Sequence, residues 1–232
     1  MFIPLYDGHP LRYIRFPVMN WSIIGVTVLF WLVFQSGFVI DGYLSSVVSF
    51  GLIPAVLFET AVLPEGYAQV PTAVTLISSV FLHGDFLHLA TNMLFLWVFG
   101  DNVEDAVGHL AYAVFYLVCG AGASLAFALM APSTQVPLVG ASGAVAGVVA
   151  AYLMLHPRVR VWVLVLARIP ARLGALWVIG AWLAFQVANA FFDPTGQVAW
   201  WAHLGGFAVG ALLIPVFKRR DVPLFEWNAA TS

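Results

Sequence analysis

The sequence predicts an all-α membrane protein, a bundle of six transmembrane helices with both termini cytoplasmic. Three observations predict it. The 232 residues are 62% hydrophobic and 9% charged, against roughly 45–50% apolar and 25% charged in soluble domains. Apolar stretches recur six times along the chain, most of them near the length that about 30 Å of hydrocarbon requires of a helix. All nine Lys and Arg residues fall in three segments that a six-helix path gathers on one side of a membrane.

In chain order, residues 1–20 read as a cytoplasmic N-terminal segment, residues 21–217 as the membrane domain and residues 218–232 as a cytoplasmic tail. The first crossing, residues 21–40, follows Arg12 and Arg15 and has no small-residue cleavage site behind it, so it reads as a retained helix rather than a signal peptide. A long loop, residues 41–85, leads to the second crossing at residues 86–100. A short acidic link with Asp101, Glu104 and Asp105 joins it to the third, residues 110–130. A Pro-bearing turn at residues 131–139 precedes the fourth, residues 142–156, which is too short to span and needs an irregular turn at depth, residues 137–140, shielded by protein. An Arg-rich link, residues 157–172, leads to the fifth at residues 173–192. The Asp193-Pro194 turn leads to the sixth at residues 201–217.

The basic residues set the direction. Arg12, Arg15, Arg158, Arg160, Arg168, Arg172, Lys218, Arg219 and Arg220 lie in the N-terminal segment, the fourth link and the tail, and cytoplasmic segments collect Lys and Arg. The long first loop then faces outward. A net charge of −2 gives no reason to expect nucleic acid, and partners are expected in the lipid bilayer. The single cysteine, Cys119, excludes an internal disulfide and a Cys-rich zinc site, and reads as a small core residue.

Polar groups inside membrane helices are costly, so His88, Asn92, Ser142 and His203 are candidates for function. The second, fourth and sixth helices run in the same direction. At about 1.5 Å per residue, Ser142, His203 and His88 each lie roughly 22–24 Å from the charged end of their helix, so their heights match. Gly143 and Gly147 are four apart, as are Ala202, Gly206 and Gly210; small faces of this kind let backbones approach. If the two faces meet, Ser142 and His203 come within reach of each other. A serine hydroxyl needs a base to attack a carbonyl, and neutral His serves as that base. His88 and Asn92, one turn apart, and the Ser142 N–H are suited to donate to an oxyanion. No third carboxylate is evident, so the expectation is a dyad.

Three blocks, HGDFLHLATNMLFLWVFGDNVED, PLVGASGAVAGVVAAYLMLHP and WAHLGGFAVG, resemble the rhomboid family of intramembrane serine proteases in residue pattern and order. The resemblance covers about two thirds of the chain. It implies that Ser142 is the nucleophile and His203 the base, that His88 and Asn92 stand at oxyanion-hole positions, and that His83 is a more structural outer His. Gly140 and Gly143 belong to the same serine-bearing string. It further implies cleavage of transmembrane protein substrates near the outer face, at small residues in helices that unwind easily, with no metal or cofactor. Three departures stand out. Ala146 replaces a Tyr or other polar residue, so an aromatic platform under His203 is expected to be missing. Ala150 replaces a frequent Gly, and the first loop lacks a Trp-Arg pair.

Rival readings are weaker. A silent client-binding relative usually lacks the Ser or the His, and a channel finds no charged residue within the apolar stretches. A metalloprotease finds no H-E-x-x-H string. His83, His109 and His156 otherwise read as structural, and Gln186 and Asn189 as interhelical bonds. Short tails without a transit peptide suggest a bacterial-type plasma membrane. The sequence does not fix the oligomeric state.

Overall fold

The computed structural model describes residues 2–193 and 199–226. Pro194, in the anticipated turn before the last helix, and tail residues 227–232 lie outside the described residues. Helices occupy all six apolar stretches. After a strand β1 (Phe2–Tyr6) come α1 (Val18–Phe30), prolonged by a π turn (Trp31–Gln35), then α2 (Tyr43–Phe50), α3 (Pro54–Leu57) and α4 (Thr75–Ser78). The longer helices α5 (Phe86–Val107), α6 (His109–Met130) and α7 (Ser142–Leu155) follow. Strands β2 (Arg160–Val165) and β3 (Ile169–Gly174) precede α8 (Ala175–Phe192) and α9 (Trp200–Phe217).

Large apolar side chains on α1, α6, α8 and α9, such as Leu29, Leu110, Trp177 and Leu212, point outward and stay exposed. Lipid is the solvent that tolerates such a surface. By length and composition, four helical segments among the described residues suffice to cross a bilayer: Val18–Gln35, His109–Met130, Ala175–Phe192 and Trp200–Phe217. Thr72–Phe81 and Phe86–Val107, bent by 83° at their break, supply a fifth only as a pair, and Ser142–Leu155 is shorter than a span. The molecule is therefore a mostly helical membrane bundle with four or five spans by this measure, short of the six expected.

The core forms around α7. This helix packs against α5, α6 and α9, and Ala144, Val148, Ala150, Ala151, Tyr152 and Leu155 are all fully buried. A helix of Ala, Val and Gly is thin, and that thinness lets three neighbours close around it.

Three expectations are corrected. The chain is not purely α: β2 and β3 form an antiparallel hairpin, and β1 pairs antiparallel with β2. The Arg-rich link hides a period of two, because Val161 and Val163 are fully buried while Arg160 and Trp162 face outward, which is the signature of a strand with one covered face. Second, Asp101, Glu104 and Asp105 are not a link but part of α5. The Asp105 carboxylate accepts from the N–H groups of Arg12, Tyr13 and Ile14. Fully buried Glu104 accepts from the N–H groups of Met19 and Asn20. Glu104 thus satisfies otherwise orphaned donors in the first turn of α1, and Asp105 those of the segment leading into it. The actual link is Gly108, whose φ of 91° suits a residue without Cβ. Third, residues 41–85 contain α2, α3 and α4 rather than open loop, because their apolar side chains, Val47, Leu52 and Ile53 among them, are buried.

Candidate active site

Ser142 is the first residue of α7, so its N–H has no partner one turn back. The irregular turn before it is held by main-chain bonds. Leu138 and Leu52 exchange N–H···O bonds at 2.7 and 3.1 Å, and Gly140 N–H donates to Ser79 O at 3.0 Å. Gly140 has a φ of 127°, and a Cβ there would lie 2.6 Å from the His88 ring. Only glycine fits this corner, which leaves space for that ring beside the serine.

The small faces of α7 and α9 meet. A Cβ built on Gly206 would lie 1.9 Å from Gly143 O, and one on Gly210 would lie 2.2 Å from Gly147 O. This approach brings Ser142 Oγ to 2.9 Å from His203 Nε2. Gln186 on α8 places its Oε1 2.9 Å from His203 Nδ1. An amide oxygen only accepts, so Nδ1 carries the proton and Nε2 keeps the lone pair toward the serine hydroxyl.

His83, Asn92 and Ala141 form a second knot. Asn92 Nδ2 donates to His83 Nε2 at 3.0 Å, and Ala141 N–H reaches the same nitrogen at 3.4 Å. Fully buried His83 thus joins α5 to the turn before α7, and its ring stands edge-on to His88 with centroids 5.1 Å apart. Asn92 keeps a second N–H beyond this bond. Asp85 accepts from His88 N–H at 2.8 Å and so caps α5 where these side chains begin.

Ala146 is buried and offers no ring, as anticipated, but aromatic side chains reach His203 from elsewhere. Trp182 on α8 and Trp200 on α9 lie with centroids 6.4 and 6.0 Å from its ring. Trp200 is fixed in turn by donating from Nε1 to Asp193 Oδ2 at 2.8 Å. Sequence reasoning missed these contacts. Gln186 carried one signal, as an amide in an apolar stretch, but no spacing tied it to His203. Asn189 departs from expectation, since its Nδ2 donates to Phe185 O on its own helix. His109 lies against Glu104, and Cys119 is buried and free.

Another titratable cluster lies beyond the far end of α7. The His156 ring sits 4.4 Å from that of His9, and its Nδ1 is 3.6 Å from Glu226 Oε2. Burial lowers the pKa of His9. Burial likewise raises Asp7, against the bond from Tyr152.

Comparison with known proteins gives this architecture relatives. The Rhomboid domain family matches residues 70–220. The chain is 32% identical over 153 residues to the mitochondrial Rhomboid protein 1 of Saccharomyces cerevisiae, covering 62% of this chain and 41% of that protein. It is 33% identical over 138 residues to RHOMBOID-like protein 5 of Arabidopsis thaliana, covering 60% of this chain and 42% of that protein. With the chloroplastic Rhomboid-like protein 11 of the same plant it shares 38% identity over 84 residues, 36% of this chain and 30% of that protein. The chain spans about two fifths of the length of the first two relatives. The expectation of a bacterial-type plasma membrane gains no support from relatives whose names place them in mitochondria or chloroplasts.

Proposed function

This chain belongs to the rhomboid family, and on that premise we propose that it is an intramembrane serine endopeptidase that cuts transmembrane segments of other membrane proteins. The observation that carries the reading is the 2.9 Å bond between Ser142 Oγ and His203 Nε2 in a site walled by apolar helices. Ser142 Oγ attacks the scissile carbonyl carbon as its proton passes to His203 Nε2. The resulting oxyanion is met by the Ser142 N–H and by side-chain donors of His88 and Asn92. His203 then gives its proton to the leaving amine, and water hydrolyses the acyl-enzyme by the same route. Gln186 acts as a positioning residue, holding the Nδ1–H tautomer that leaves Nε2 basic. Gly140 and Gly143 shape the corner and the helix approach, and His83 holds Asn92. The chemistry needs no cofactor.

The same proposal carries the topology: six crossings within residues 21–217, termini on the Arg-rich side, and cleavage near the opposite face, toward which Ser142 lies. A fluorophosphonate probe tests the nucleophile directly, because Oγ attack on phosphorus expels fluoride and leaves a stable adduct. One adduct on Ser142, lost in His203→Ala, is the expected outcome by intact and peptide mass. An adduct elsewhere, or labelling that is indifferent to His203, contradicts the reading.

A further inference from the structure

We infer that His9, His156 and Glu226 form a binding site for a divalent transition metal of the zinc class, far from Ser142 at the other end of α7. Each residue offers one ligand atom, and the three atoms lie within 4.8 Å of one another. Two imidazole nitrogens and one carboxylate oxygen are a donor set suited to zinc and its neighbours rather than to magnesium or calcium.

The geometry favours a shared ion over a direct bond. His156 is buried, and its Nδ1 has no hydrogen-bond partner among the described residues, a costly arrangement for a polar atom. The 3.6 Å to Glu226 Oε2 is too long for a hydrogen bond. It is close to the roughly 3.4 Å that separates two ligands on one tetrahedral ion at about 2.1 Å each. Arg12 Nη1 holds the other oxygen, Oε1, at 2.9 Å, which orients the carboxylate and leaves Oε2 turned to the site. His9 is half-buried, on the segment just after β1.

An ion here would tie three distant parts of the chain together. His9 comes from the N-terminal segment, Glu226 from the segment after α9, and His156 caps the helix that begins with Ser142. The full chain in detergent, stripped with a chelator and dialysed, is titrated with zinc, and bound metal is measured with the thermal midpoint. About one ion per chain and a raised midpoint are expected, with magnesium unable to substitute. His9→Ala and His156→Ala should each weaken binding by more than about a hundredfold, since losing even an outer-shell partner costs about 10- to 100-fold. Ser142→Ala should bind zinc as wild type does, so this site stands or falls independently of the protease reading. Absence of bound zinc in wild type, or zinc binding unchanged in a folded His9→Ala protein, overturns the inference.

Discussion

Helices α7 and α8 both touch His203's surroundings, yet they are built in opposite ways. In α7 nearly every residue is buried, Gly143 and Gly147 are pressed against α9, and Ser142 sits at the start of an immobilised rod. In α8 only Ala175, Val178, Ile179 and Gln186 are buried, while Trp177, Phe185, Phe191 and Phe192 face outward. Ser142 stands on the most enclosed helix, and Gln186, whose amide bonds His203, stands on one of the least enclosed. Close packing fixes a group in place, whereas a helix with few buried contacts moves at lower cost. In the proposed enzyme α7 is the scaffold and α8 the movable wall past which a substrate helix enters, and displacing α8 breaks the Gln186 bond to His203.

The largest expected effect comes from removing that difference. Phe95→Cys and Val178→Cys alter side chains of α5 and α8 that line one small cavity. Bridging them with a short thiol crosslinker should abolish cleavage of a transmembrane substrate, and a reductant-cleavable linker should restore it. Full activity in the locked protein would dismiss α8 as a gate. A second expectation concerns the scaffold. Gly206→Val places side-chain carbon where Gly143 O already stands, so it should destabilise the bundle by about 1–3 kcal/mol or more, seen as a lower thermal midpoint with reduced activity. Gly180 on α8 has no atom of another described residue packed within 4 Å of a built Cβ, and Gly180→Ala should leave the midpoint nearly unchanged. Equal losses at both glycines would erase the contrast.

The smallest effect is expected at Gln186. Gln186→Ala should lower kcat by about tenfold, the worth of one hydrogen bond, with little change in KM. Gln186→Glu should restore part of the rate, and it should move the acid limb of the pH–rate profile upward, because a carboxylate beside an imidazole favours its protonated form. A change in KM alone would make Gln186 part of the wall rather than a positioning residue.

What was legible in the sequence was local. The four-residue spacing in Gly143 and Gly147, and in Ala202, Gly206 and Gly210, implied an approach of two helices, because small faces at that period have little use other than close packing. The apolar stretches placed helices because their length and composition are continuous along the chain. The anchors at Glu104 and Asp105 were not legible: their partners lie 84 to 93 residues away, and a run of acids beside a glycine reads as a link. The hairpin was written as alternating Val in residues 159–165, but Arg158 before that run and Arg160 within it give the segment the charge of a link. Gln186 was visible as a polar residue, yet its partner depends on how α8 leans on α9, which no spacing within either helix encodes. The tryptophans near His203 were hidden for the same reason.

The most direct measurement is the cleavage of a single-span substrate by the full chain in detergent or liposomes, with products sized by mass. Wild type is expected to cut within or beside the spanning helix, and Ser142→Ala and His203→Ala, each still folded by its thermal midpoint, are expected to leave it whole. Cleavage that persists in Ser142→Ala, or a folded wild type that leaves several such substrates uncut, would contradict the proposed function.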